Sequence, residues 1–287
     1  MFKKIILSVL ILANALCVFA QDDLMKELES DKPKTKEIVQ TAFKGMQICT
    51  MQSTKLAAKG EFYFMVAHRF GDLTEGFENF FGLDNAVAKI GGLYGATEWL
   101  TVGFSRHTYR KIYEFSTKYK LVNQEVDGFP VTIVGFNTVD INSELKTALF
   151  PELKFNNRLS FSTQLPISRK FSEKFTLELN PIYIHKNLYD DALEKKNQFL
   201  LALGGRYKLT KRLSFNGEYA YKLGTVAINE YTNPLTVGLD IETGGHVFQL
   251  VFSNSQPMND VSYFTNGTGN WTSKGIYFGF NLYRVFN

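Results

Sequence analysis

Apolar and polar residues alternate with a period of two through most of the chain after residue 58. The stretch from Leu213 to Leu223 shows this clearly: every second residue is apolar, aromatic or glycine, and Ser, Asn, Glu, Ala and Lys stand between them. Similar alternation occurs near 113–121, 159–167, 175–180, 248–253 and 276–283. Successive side chains of a β-strand point to opposite faces, so each stretch is predicted to be a strand with one apolar and one polar face.

Two kinds of protein contain such strands. In a soluble sandwich the apolar face covers a core, and in a membrane barrel it faces lipid. Most of the segments reach the ~9–11 residues that a tilted strand needs to cross a bilayer, and exceed the ~5–6 of ordinary soluble strands. Aromatic residues suited to the bilayer interface stand near the segment ends: Tyr63, Phe70, Trp99, Tyr109, Tyr183, Tyr207, Phe215, Tyr283 and Phe286. Both features favour the membrane barrel.

The lengths of the connections support the same interpretation. We place strands near 59–70, 86–94, 99–106, 110–122, 129–139, 157–167, 173–184, 197–209, 213–223, 235–241, 246–254 and 274–286. Long connections then alternate with shorter ones, apart from the short connection 107–109, as expected for long outer loops and short periplasmic turns. We therefore predict an all-β fold, a closed antiparallel up-and-down transmembrane β-barrel of about 12 strands over residues 58–287, with both chain ends in the periplasm.

The first twenty residues have the pattern of a cleaved secretory signal peptide. Lys3 and Lys4 precede an apolar run of ~12 residues that is too short to span a bilayer, and small residues stand before Gln21. Cys17 could mark a lipoprotein, but the bulky Leu16 before it argues against lipidation. Residues 21–57 are predicted to be a short periplasmic leader, with 38–51 either a further strand or a plug. These features predict the outer membrane of a Gram-negative-type bacterium.

Composition excludes several functional classes. Among 287 residues, 32 are Lys or Arg and 28 are Asp or Glu, and this net charge of +4 is too weak to indicate nucleic acid binding. A hydrophobic content of 45% excludes a disordered chain, and the sequence lacks the repeated apolar runs of a polytopic helical membrane protein. The expected partners are therefore outer-membrane lipid and a small solute, and the sequence does not determine an oligomeric state.

Several short motifs carry a resemblance to a known family. They are Ala67-His68-Arg69-Phe70-Gly71, Phe81-Gly82-Leu83-Asp84-Asn85-Ala86, Gly92-Leu93-Tyr94-Gly95, Gly245-His246-Val247-Phe248-Gln249-Leu250 and Ser253-Asn254-Ser255. Together they resemble a bacterial outer-membrane β-barrel family described only as a domain of unknown function, over about residues 38–287. The resemblance implies a barrel in the outer membrane, and it implies no activity or functional residues.

Residues with catalytic or metal-binding potential form no clear motif. His68, His107, His185 and His246 are not at zinc-ligand spacing, and the glycine pairs lack the lysine of a phosphate loop, so neither a metal nor a cofactor is predicted. Ser105 and His107 share one face of a strand, but at ~7 Å along it they are expected to be too far apart to hydrogen-bond unless the chain bends. No Asp or Asn is evidently placed to orient the imidazole. We therefore predict no enzymatic activity, with a lipid hydrolase as a less favoured alternative.

The polar strand faces carry charged residues of both signs, which in a closed barrel point inward. The candidate lumen-lining residues are Arg69, Glu114, Lys118, Arg158, Glu178, Arg206, Glu218 and Lys222. They are compatible with a narrow passive channel for small solutes or with a structurally filled barrel, and long loops could instead make a non-conducting barrel that binds a ligand. Phe77, Phe80 and Phe81 in the loop 71–85 either fold inward as a constriction or contact an external partner.

The two faces should respond differently to mutation. Leu177→Arg or Leu250→Arg, on a lipid-facing surface near the bilayer midplane, should lower the stability of the barrel by about 2–4 kcal/mol. Glu178→Gln or Ser214→Arg, on the opposite face, should lower the stability much less, and equal losses on both faces would contradict the assignment.

Overall fold

The structure is a computed structural model that describes residues 37–40, 42–149, 151–224, 230–243 and 246–286. The predicted signal peptide and the leader up to residue 36 lie outside the described residues. Within the described part of the chain, no helix combines the length and the apolar character needed to cross a membrane.

In the described part of the chain, thirteen antiparallel strands form one sheet that closes on itself. Their bounds are β1 Phe62–Asp72, β2 Val87–Gly95, β3 Leu100–His107, β4 Ile112–Val122, β5 Thr132–Asn142, β6 Leu159–Gln164, β7 Ile167–Lys170, β8 Phe175–Lys186, β9 Asn197–Lys208, β10 Leu213–Leu223, β11 Leu235–Thr243, β12 His246–Ser253 and β13 Tyr277–Phe286. Strands that follow one another in sequence pair, except that β6 and β7 each pair with β5 and β8 and not with each other. β13 pairs with β1. Because β6 and β7 both lie between β5 and β8, the wall has twelve strand positions, which confirms the predicted closed barrel.

The sixth strand position differs from the prediction. A connection was expected at 168–172, but the strand resumes as β7 after a break at Leu165 and Pro166. Proline has no backbone N–H to donate to the ladder, which interrupts a strand. The break stays within the sheet, because the Leu165 N–H donates to the Pro181 carbonyl at 3.1 Å and the Val134 N–H donates to the Pro166 carbonyl at 3.0 Å.

The predicted alternation of faces is confirmed along the wall. In β10, Ser214, Asn216 and Glu218 are buried inside the barrel, whereas Phe215 and Tyr221 are 45% and 53% exposed on the outside. The outer face therefore carries the large apolar side chains that lipid would cover, and the inner face carries polar ones.

The connections divide between two ends of the barrel. We call one the loop end, where β1 and β2, β3 and β4, β5 and β6, β8 and β9, β10 and β11, and β12 and β13 are connected, and the other the turn end, where β2 and β3, β4 and β5, β7 and β8, β9 and β10, and β11 and β12 are connected. The loop end includes 3₁₀ turns at Leu73–Asn79, Tyr109–Lys111 and Phe155–Arg158 and one α-helix, α1, at Asp260–Thr265. β1 starts and β13 finishes at the turn end.

The aromatic loop after β1 does not fold into the barrel. Phe77, Phe80 and Phe81 are 81%, 60% and 47% exposed, so the predicted inward constriction is wrong. Asn79 holds the loop outward instead: its side-chain amide donates to the Asp72 carbonyl at 2.9 Å, and its side-chain oxygen accepts from the Gly82 N–H at 2.6 Å.

Candidate functional site

Two parts of the chain fill the interior of the barrel. Residues 42–57, which we call the inner segment, enter from the turn end, and almost all of them are buried. Residues 254–268, which include α1, fold in from the loop end and are also largely buried. Phe43, Ile48 and Met51 of the inner segment share one apolar cluster with Val261 and Phe264.

The inner segment is held at its centre by Glu218 on β10. The backbone N–H groups of Cys49 and Thr50 each donate to the Glu218 carboxyl group at 2.9 Å, and that of Met51 donates at 3.1 Å. The Tyr263 hydroxyl of α1 lies 2.8 Å from the same carboxyl group. One wall side chain therefore binds both inserted parts, because a carboxyl group has several acceptor sites.

Wall side chains also satisfy the carbonyl groups of the inner segment. Asn216 and Gln249 donate to the Ile48 carbonyl at 3.1 and 2.9 Å, and Asn281 donates to the Cys49 carbonyl at 2.6 Å. The Lys118 Nζ donates to the carbonyls of Met46 and Ser53 at 2.9 and 3.0 Å. Buried backbone groups need such partners, so the polar inner face of the wall compensates for a coil that makes few bonds with itself.

The ends of the inner segment are attached at the turn end. Val39 donates its N–H to the Gln124 carbonyl at 2.9 Å, in the turn between β4 and β5, and Thr54 and Ala57 donate theirs to Glu178 and Thr101 at 3.1 and 3.0 Å. The segment is therefore a loop inserted through the turn end. Burial lowers the pKa of Lys55 and raises the pKa of the Cys49 thiol.

The eight candidate lumen-lining residues fall into three groups. Arg69, Lys118, Glu178 and Glu218 are buried and adjoin the inner segment. Glu114 and Arg206 are also buried, but they pair with Lys89 at 3.0 Å and with Glu242 at 2.6 Å. Arg158 and Lys222 are half-buried at the loop end, where they donate to backbone carbonyls.

The sequence interpretation did not single out two further features, the inner-face amides and Asp260. The inner-face amides Asn216, Gln249 and Asn281 have the same period-two signal as the charged residues, so strand alternation could have identified them. Asp260 lies in α1, outside any alternating pattern, and contacts the Gln52 side-chain amide at 3.1 Å. Burial, and then the Glu114 carboxylate, raise the pKa of Asp260 to about 7.

The filled interior corrects the expectation for Ser214. Its side chain is completely buried. Arginine there would overpack the interior, a change that typically costs about 1–3 kcal/mol. The expectation of a small effect assumed a hydrated lumen.

The expected separation of Ser105 and His107 is also wrong. The Ser105 Oγ lies 3.0 Å from the His107 Nε2, because the two side chains, on the same face of β3, point toward each other along the strand. Ser105 also donates to Glu114 at 3.0 Å, and the His107 Nδ1 has no hydrogen-bond partner among the described residues. In a hydrolytic triad the acid orients the nitrogen opposite the serine, but here Glu114 lies 3.7 Å from the same Nε2. Ser105 and His107 face the packed interior, not the outer wall, at 3% and 0% exposure.

The histidines lie apart in the fold, on β1, β3, β8 and β12. Within the described residues, no group of three or more His, Cys, Asp or Glu side chains is arranged to hold a metal ion.

Cavities of solute size lie only at the two ends among those found in the described part of the chain. A cavity of 440 Å³ at the loop end is lined by residues of several loops, including Arg110, Arg158 and Glu194. Cavities of 390 and 360 Å³ lie at the turn end around Lys44 and Lys55. Deeper in the barrel, a cavity of 20 Å³ lies near Gln47 and Ser105, about enough for one water molecule.

Comparison with known proteins identifies one matching family. The model of a family described as "Membrane bound beta barrel domain (DUF5777)" matches residues 43–286. This range includes nearly all of the inner segment as well as the wall. No curated protein matches the sequence.

Solved structures with a similar fold are outer-membrane channels and porins. The NanC porin is 9% identical, with a TM-score of 0.53 over 77% of this chain and 98% of that chain. The KdgM porin in complex with disordered oligogalacturonate is 9% identical, with a TM-score of 0.51 over 78% and 99%. The COG4313 outer membrane channel from Pseudomonas putida F1 is 13% identical, with a TM-score of 0.50 over 81% and 97%. At these identities the likeness shows a shared barrel fold.

Proposed function

The chain belongs to the membrane-bound β-barrel domain family DUF5777, and we propose that it is an outer-membrane channel for small polar solutes whose pathway the inner segment closes. In this proposal residues 1–20 direct export and are removed, the turn end faces the periplasm, and lipid covers the outer face. The eight candidate residues line the pathway when the inner segment is displaced.

The observation that carries the proposal is the way the inner segment is held. Its backbone is bound by wall side chains such as Glu218, Asn216 and Lys118, and it lies between the cavities at the two ends. A wall built only to enclose a core would need no such polar lining. The same side chains can hydrate a pathway once the segment leaves, because water can replace each of these bonds.

A second candidate function is a non-conducting barrel that binds a ligand with its outer loops. The filled interior favours it, because only 20 Å³ of cavity lies beside the inner segment between the two mouths. The two functions differ in whether the purified chain conducts ions.

Single-channel recording of the purified full chain in planar bilayers tests the proposal. We expect brief openings for the wild type and at least a tenfold higher open probability for Glu218→Gln, because its amide accepts fewer of the Cys49, Thr50 and Met51 N–H groups. Glu152→Gln, at an exposed position of the connection between β5 and β6, is the matched control and should leave gating unchanged. Absence of conductance in both the wild type and Glu218→Gln would favour the binding barrel.

We also infer that Ser105 has no catalytic role. Its position beside Glu114 and His107 in the packed interior supports this inference. Phospholipid hydrolysis by the folded protein that is lost in Ser105→Ala would contradict it.

A further inference from the structure

Basic side chains dominate the turn-end mouth, which we define as the two cavities that share Lys44 and Lys55. Their combined cationic lining residues are Lys44, Lys55, Lys170, Lys174, Arg206, Lys208, Lys211 and Arg212. Among the described residues, only Glu173 and Glu242 contribute acidic side chains to this lining. The turn-end mouth therefore has a large excess of positive charge.

Most of these cations have no acidic partner. Arg206 pairs with Glu242 at 2.6 Å, and Lys170 pairs with the exposed Glu173 at 2.8 Å. Among the described residues, the other six lie within 4.0 Å of no carboxylate: Lys44, Lys55, Lys174, Lys208, Lys211 and Arg212. Clustered cations that the protein does not neutralise create a positive potential in a cleft, which attracts anions.

Part of this charge lies on the lumen side of the wall. Arg206 pairs with Thr176, and both are buried, whereas their neighbours Phe175 and Tyr207 are exposed on the outer face. Lys170 pairs with Thr176 and therefore points inward as well. An anion that meets these groups arrives from solution through the mouth, not from the surrounding lipid.

The loop-end cavity lacks this imbalance. Its charged lining residues are Arg110, Arg158, Lys186, Glu144, Asp190 and Glu194, with equal numbers of each sign. Lys186 also forms an ion pair with Glu194 inside that cavity. The positive field is therefore specific to the turn end.

We propose that the turn-end mouth is a binding site for a soluble anion that carries two or more phosphate or carboxylate groups. The two cavities meet at Lys44 and Lys55, so one anionic group can occupy each while both share these lysines. The Lys55 Nζ donates to the Lys44 carbonyl at 2.6 Å, which fixes one cation at the junction. Binding does not require the barrel to conduct, whereas selection of anions for passage rests on the proposed channel function.

Calorimetric titration of the full chain in phosphatidylcholine nanodiscs tests the site, with inorganic tripolyphosphate as the probe. We expect tripolyphosphate to bind at least tenfold more tightly than orthophosphate, because it can reach both cavities. The triple variant Lys44→Gln, Lys208→Gln, Lys211→Gln should weaken tripolyphosphate binding at least tenfold. The control Lys146→Gln, Lys196→Gln, Lys274→Gln removes equal charge from exposed loop-end positions and should change it less than twofold.

The outcomes separate this site from the channel function. Equal weakening in both triple variants, or no tripolyphosphate binding by the wild type, overturns the site. Tripolyphosphate binding by a barrel that never conducts supports the site and contradicts only the channel. A conducting barrel should prefer chloride to potassium in a KCl gradient, and the turn-end triple variant should lose that preference. If the turn-end triple variant keeps the preference for chloride, the site does not select anions for passage through the barrel.

Discussion

The two parts that fill the barrel are held by different means. The inner segment has one internal bridge, between Gln47 and Gln52, and a few internal side-chain bonds, whereas the N–H groups of residues 49–51 and the carbonyls of residues 48 and 49 bond to wall side chains. The part that enters from the loop end forms its own helix, with Tyr263 and Asn266 donating their N–H groups to Asn259 and Ser262. Its buried residues Val261 and Phe264 add apolar packing.

This difference indicates which part can move. A helix keeps its backbone bonds when it is displaced, whereas a coil bonded to a wall exchanges those bonds for water. The inner segment therefore depends on the wall for its conformation, and water can replace the wall as its partner. We expect displacement of the inner segment to open the pathway and α1 to stay in place.

The largest expected effect comes from removing the shared anchor. Glu218→Leu leaves three backbone N–H groups of the inner segment without their acceptor, which should lower the free energy of unfolding by about 3 kcal/mol. Denaturant unfolding in lipid vesicles measures this change in the free energy of unfolding, with Glu173→Leu at an exposed turn position as the control. A loss as small as that of the control would show that the wall does not hold the segment.

A change of pH should act next most strongly, through Asp260 of α1. Its pKa is raised to about 7 in the fold by burial and the Glu114 carboxylate, against about 4 in an unfolded chain. The folded state therefore favours the neutral acid. The stability that this group contributes to the fold is complete below about pH 4 and is lost as the pH rises to about 7. Between pH 4.5 and 8, the free energy of unfolding of the wild type should fall by about 1–3 kcal/mol relative to that of Asp260→Asn. Parallel pH profiles for the two proteins would contradict this.

The smallest effect is expected for Tyr263→Phe. This change removes a hydroxyl that bonds to Thr236 and Glu218 at 2.8 Å but leaves the backbone N–H groups of the inner segment on Glu218. We expect a loss of about 1 kcal/mol in unfolding free energy and no change in open probability. If Tyr263→Phe opened the channel as often as Glu218→Gln, α1 would share control of the closure.

The sequence predicted the wall well because strand alternation is a local pattern. Eleven of the twelve strand positions could be read from alternating residues or connection lengths without knowing their partners, and the exception, the break at Pro166, follows from one missing N–H. Depth in the membrane was harder to predict. Leu250 lies mid-strand in β12, whereas Leu177 lies near the turn end of β8, so arginine should cost less at Leu177 than at Leu250.

The contents of the barrel could not be predicted in the same way. The inner segment has no period of its own, since its conformation comes from distant side chains such as Glu218 and Asn281. The proximity of Ser105 and His107 likewise depends on side-chain direction, which strand spacing does not determine. Long-range contacts of this kind leave no local signal in one sequence.

A reversible disulfide tests the closure most directly. A Cβ atom added at Gly238 on β11 would lie 2.9 Å from the Cys49 Sγ, so Gly238→Cys should bond to Cys49 and fix the inner segment to the wall. The added Cβ also lies 2.9 Å from the Leu250 carbonyl oxygen, and Gly238→Ser shares that contact without the thiol. Oxidised Gly238→Cys should not conduct in planar bilayers, reductant should restore openings, and Gly238→Ser should conduct under both conditions. Wild-type conductance through a barrel with the disulfide verified by mass would contradict closure by the inner segment.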